Sequence, residues 1–118
     1  MGLPTVEEII GDIKAVISGI ANKDFPAISD FAQRQMRALA EQTVAIAEAT
    51  AMGEFKDNPK LRDHFLDTLA NMTNNFAKVV AGLIAITVEK IWNGLVNLLW
   101  NTLDKATGLS LPRPAFTG

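Results

Sequence analysis

The fold turns on residues 59–106, PKLRDHFLDTLANMTNNFAKVVAGLIAITVEKIWNGLVNLLWNTLDKA, which follow Asn58 and contain no proline after Pro59. Asn58 suits an N-cap and Pro59 the first helical position, where a missing N–H orphans nothing. Gly108 stands where a C-terminal cap belongs. The pattern between them reads as one helix over 59–106. Unbroken, it would be roughly 70 Å long at 1.5 Å per residue, more than a compact domain of this size spans. It must therefore kink, with Gly82 and Gly94 as candidates, or project and pack against other copies of the chain.

The character of this stretch changes along its length. Leu61, Phe65, Leu66, Leu69 and Met72 form an ordinary apolar stripe opposite Asp63, Asp67, Asn71 and Asn74. From Phe76 to Val88 nearly every side is apolar, through Val79, Val80, Leu83, Ile84, Ile86 and Val88, with Lys78 the only charge. A helix apolar all round needs burial all round. From Glu89 the polarity returns on one arc, with Asn93, Asn97, Asn101 and Asp104, while Val88, Ile91, Trp92, Leu95, Leu98, Leu99 and Leu103 hold the other.

Upstream, Val6, Ile10, Ile13, Ile17 and Ile20 recur at steps of four and three, with Ile9 and Val16 widening the stripe, so 6–21 reads as an amphipathic helix. Thr5 and Glu8 are spaced as a capping box, and Glu7, Glu8 and Asp12 suit the positive end of the helix dipole. After Asn22-Lys23, Asp24 is a plausible N-cap for a second helix over 25–52 that tolerates Pro26 in its first turn. Its seam is Ile28, Ala32, Met36, Leu39, Thr43, Ile46 and Thr50, its flanks are rich in alanine, and Gly53 stops it. Pro112 and Pro114 keep the tail, 109–118, from being helical.

The chain has 118 residues, 48% of them hydrophobic and 20% charged, which predicts a single small globular domain. With no Cys there is no disulfide, thiolate metal site or cysteine nucleophile. The net charge is −2 and the eleven Lys and Arg are scattered, so phosphate neutralisation lacks its basic stripe and nucleic acid is not an expected partner. The acidic residues before the first apolar stretch are the reverse of a secretory n-region, and Val6 stands where a myristoylation motif wants Ser or Thr. The expected location is the cytoplasm or an assembled particle.

Chemically reactive groups are few. His64 is the sole histidine and Tyr is missing altogether. His64 and Asp67 offer two metal ligands at helical spacing, but no second His or ExxH pair completes a site, and a surface histidine is the expected reading. Ser18, Ser29 and Ser110 have no neighbouring base, and the glycines form no phosphate-cradling loop. Glu41 and Glu48, two turns apart, read as a solvated face. No catalytic residue, metal ligand, cofactor or small-molecule substrate is therefore expected. Asn71, Asn74, Asn75, Asn93, Asn97 and Asn101 fit either a solvated face or register-setting hydrogen bonds between helices.

Trp92-Asn93-Gly94 is similar to the W-x-G triplet of small secreted helical-hairpin proteins, which carry it at a turn near mid-chain. Here it falls late and inside an apolar helical run, a departure that brings no function across.

These patterns predict an all-α fold, a bundle of three helices or, with a kink near Gly82 or Gly94, of four. The first helix provides about 24 Å of cover and the second about 40 Å, against roughly 70 Å to be hidden. The surplus predicts a non-enzymatic structural protein that forms a homo-oligomer or larger assembly through the third helix. Its burial surface would comprise Val79, Val80, Leu83, Ile84, Val88, Ile91, Trp92, Leu95, Leu98, Leu99 and Leu103. One alternative is a membrane-associated helix over 76–103 lying in the headgroup boundary. A simple span is disfavoured, because the run from Val79 to Val88 is short and Glu89 and Lys90 would each cost about 2.5 to 3.5 kcal/mol near the bilayer centre. The other alternative is a monomeric adaptor using the Ala-rich face of the second helix.

Overall fold

A computed structural model describes residues 3–21 and 30–116. The chain is all-helical, with four helices and no strand among the described residues. They are α1 (Val6–Ala21), α2 (Asp30–Ala51), α3 (Pro59–Ile84) and α4 (Val88–Thr107). The expected third helix is thus two helices. The break falls neither at Gly82 nor at Gly94 but between Ile84 and Val88, where Ala85 adopts a left-handed conformation (φ 57°) and its N–H bonds the Ala81 carbonyl. Thr87 then caps α4, its hydroxyl accepting the Lys90 N–H at 3.3 Å. Glu89 sits in the first turn of α4, where the helix dipole favours a carboxylate.

Reversal at this point removes the surplus apolar surface. The longest dimension is 43 Å, well short of an unbroken rod of roughly 70 Å. α3 packs on α4, α2 on α3, α1 on α2, and α1 closes the ring on α4. Neighbouring helices are antiparallel, as three pairings record. Glu7 of α1 bridges Arg37 of α2 at 2.8 Å. Gln42 of α2 donates to the Phe65 carbonyl of α3 at 3.3 Å. Ile20, at the end of α1, lies against Gly94, near the start of α4.

The core is built from the stripes read in the sequence. Ile9, Ile13 and Ile17 form the fully buried line of α1, while Val6, Ile10, Val16 and Ile20 are half-buried around it. In α2, Ala32, Met36, Leu39, Thr43 and Ile46 are buried and Thr50 half-buried. Asp24, Pro26 and Ile28 lie outside the described residues. Buried Thr43 and Thr73 are tolerated because each hydroxyl donates to the carbonyl one turn back, Leu39 at 2.8 Å and Leu69 at 2.7 Å.

The helix ends follow their sequence signals. Thr5 accepts the Glu8 N–H at 3.2 Å, and the Glu8 carboxylate returns to the Thr5 hydroxyl rather than to its N–H. Asn58 accepts the Leu61 N–H at 3.2 Å, and Gly53 and Gly108 take φ of 78° and 74° after α2 and α4. α2 continues for some 20 Å beyond Arg37, the level at which α1 begins, so α2 and α3 extend past the shorter pair. The edge-on contact of Phe55 with Phe65, 5.4 Å between ring centres, closes that extension.

Gly94 permits the close approach of α1 and α4, because a Cβ there would stand 2.7 Å from Ile20 Cδ1 and 3.1 Å from Val16 Cγ1. The W-x-G triplet therefore serves helix packing inside α4 and marks no turn. Gly94→Leu is expected to lower stability by about 1–3 kcal/mol by forcing α1 off α4, read as a shift in urea midpoint. Ala85→Gly should shift that midpoint the other way, by up to about 1 kcal/mol, because glycine adopts the left-handed conformation without the Cβ clash.

Candidate interaction site

The expected burial surface lies largely inside the chain's own bundle. Ile91, Leu95, Leu99 and Leu103 are 0% exposed and Val80, Ile84 and Trp92 are also buried, packed in one cluster with α1, α2 and α3. Val79, Val88 and Leu98 are half-buried. Leu83 is 49% exposed, since it falls on the outer side of the last turn of α3. The four-residue spacing that marks an interface between copies marks equally well an interface between two segments of one chain. A three-residue reversal is enough to convert one into the other.

Other sequence candidates are spread over the surface. His64, Asp63 and Asp67 are exposed, and no group of three or more metal-ligating side chains occurs among the described residues. Asn71, Asn75, Asn93 and Asn97 face outward. Exposed large hydrophobic side chains among the described residues are dispersed, with Leu3 and Leu109 flanking the start of α1 and end of α4, Met52 and Leu61 at the α2–α3 turn, and Leu83 by the α3–α4 turn. Among the described residues no helix is long and apolar enough to cross a membrane.

One arrangement went unread in the sequence, and it gathers charge, aromatic surface and an orphaned polar group in one place. After Gly108 the chain doubles back along α4 as an extended segment, 109–116. Leu111 is 6% exposed, and its N–H donates to Asp104 Oδ1 at 3.0 Å. The Arg113 guanidinium pairs with Asp104 Oδ2 at 2.8 Å and also donates to Asn101 Oδ1. Phe116 reaches the Trp92 ring, 6.2 Å between centres. Pro112, Arg113 and Pro114 form one side of an open pocket whose other sides are Asp63, Leu66, Asp67 and Ala70 of α3 and Trp100 of α4. Trp100 is buried, and its indole N–H has no acceptor.

The local sequence explains why the tail lies down. Gly108 takes the positive φ that reverses the chain, and the Thr107 hydroxyl accepts the Leu109 N–H at 3.2 Å to hold the turn. Pro112 and Pro114 fix the backbone as extended, so little further conformational entropy is lost on docking. Leu111 packs into the hydrophobic core and anchors the segment beside α4. The hydrophobic residues flanking the Pro-Arg-Pro run, Leu111 and Phe116, were the available signal that this tail would not fray.

No family model, curated protein or solved structure matches the chain.

The hydrogen bond from Arg113, reinforced by the Leu111 N–H, holds the Asp104 carboxyl below its ordinary value. A carboxylate whose folded value is lowered stabilises the folded form above its unfolded value and loses that contribution as pH falls through the folded one. Acidification below about pH 4 should therefore loosen the tail and redden the tryptophan emission as Trp92 and Trp100 lose cover. Asp104→Asn should show the reddened emission already at neutral pH and lack the acid step; an unchanged step in that variant would assign it to another carboxylate.

Proposed function

We propose that this protein is a non-enzymatic structural module that acts by binding copies of itself. The supporting observation is the relation between its tail and its bundle. One short segment, 111–116, is held along α4 of the same chain through an ion pair, a buried leucine and an aromatic contact. A chain that carries both a peptide and the surface that holds it is self-complementary.

The adhesive element in this reading is the tail and its seat on α4. The apolar positions from Val80 to Leu103 serve instead as the rigid scaffold that displays them, because most of their area is already committed to α1, α2 and α3. Light scattering on the purified chain in detergent-free buffer at micromolar concentration is expected to give at least twice the chain mass of 12.8 kDa. A constant 12.8 kDa species across the concentration range would overturn the proposal.

A further inference from the structure

The open pocket between the tail, α3 and α4 has a volume of about 350 Å³, within the range of sites that hold small organic molecules. Its α3 side is one helix face, Asp63, Leu66, Asp67 and Ala70, at steps of three, one and three. That spacing sets two exposed carboxylates one turn apart beside buried Leu66. The tail side, Pro112, Arg113 and Pro114, is stiff because both proline rings fix φ. Trp100 of α4, 1% exposed, completes the lining.

Two features of this pocket are uncompensated within the chain. The first is charge. Asp67 joins no ion pair among the described residues, and Asp63 meets only the guanidinium of its neighbour Arg62, at 3.5 Å. Arg113, the one cation on the wall, is already committed to Asp104 at 2.8 Å, with further bonds to Asn101 and the Leu111 carbonyl. The pocket is therefore acidic in balance. The second feature is the Trp100 indole N–H, which is buried without an acceptor. Elsewhere Trp100 packs among apolar side chains, which carry no acceptor, so the pocket is the space from which one can reach it. A buried donor left unpaired is unfavourable, and a ligand atom that accepts from it removes that penalty.

We propose that this pocket binds a small primary amine that carries an apolar body and a hydrogen-bond acceptor. The ammonium sits at Asp67, with Asp63 adding its charge, the body rests on Leu66 and Pro114, and the acceptor takes the Trp100 N–H. A carboxylic acid is repelled by the two aspartates, and a hydrocarbon answers neither the charge nor the indole. One chain supplies every wall, so the site does not depend on the proposed self-association.

Tyramine is the probe, since it joins a primary ammonium, an aromatic ring and a phenol oxygen. Titrated into the isotope-labelled full chain, it should shift the Trp100 indole Hε1 resonance downfield and saturably, with a dissociation constant of about 1 mM or tighter. Three changes should each weaken binding about tenfold or more: para-ethylphenol in place of tyramine, which removes the ammonium, phenethylamine, which removes the acceptor, and Asp67→Asn. The anion para-hydroxyphenylacetate should give no saturable shift. Asp67→Asn alters only an exposed side chain, so it tests the site without disturbing the core as a change at Trp100 would. No saturation by about 10 mM tyramine would overturn the proposal, as would unchanged affinity in Asp67→Asn, for para-ethylphenol or for phenethylamine.

Discussion

The reversal at Ala85, Ile86 and Thr87 is the constraint on which the remaining structure depends. A helix apolar on every side, such as 76–88, needs partners on every side, and α1 and α2 together are too short to supply them along a straight rod. Folding the rod in half lets α4 cover α3 and α3 cover α4. Ile91, Leu95, Leu99 and Leu103 then face Leu69, Phe76, Val80 and Ile84 across one core, with Ile13 and Leu39 contributed from the other two helices. Burial of such side chains is worth about 1.5–3 kcal/mol each, more than a single left-handed alanine withdraws.

α2 and α3 are longer than α1 and α4, and α1 packs on α2 and α4. The tail lies along α4 and faces α3 across an open pocket. Its hold on the bundle combines buried Leu111 with contacts centred on one carboxylate. Asp104 accepts from both the Leu111 backbone and the Arg113 side chain, and the loss of its charge weakens both ends of the grip at once.

The helical periods, the caps at Thr5, Asn58 and Gly108, and the buried stripes of α1 and α2 were legible because each depends on neighbours within one or two turns. The site was not. The Asp104–Arg113 pair joins residues across a chain reversal, and nothing in the spacing of a lone acid and a lone arginine distinguishes a clasp from two solvated charges. Leu83 shows the same limit from the other side, since its place in an apolar run says nothing about which face the last turn of α3 turns outward.

The amino-acid sequence by itself determined that the chain is helical and which residues are apolar along each stripe. Its strongest break signals were glycines, yet Gly82 remains helical and Gly94 mediates a close helix approach. Tertiary structure alone decided where the long pattern folds back. The strain of Ala85 is repaid by contacts between residues that are distant in sequence, and Thr87, with Glu89 behind it, was ready to start a helix wherever that reversal fell. It was also tertiary structure that turned apparent surplus surface into core and laid the proline-bearing tail along α4. Local spacing specifies which faces need cover, whereas only the assembled bundle specifies what covers them.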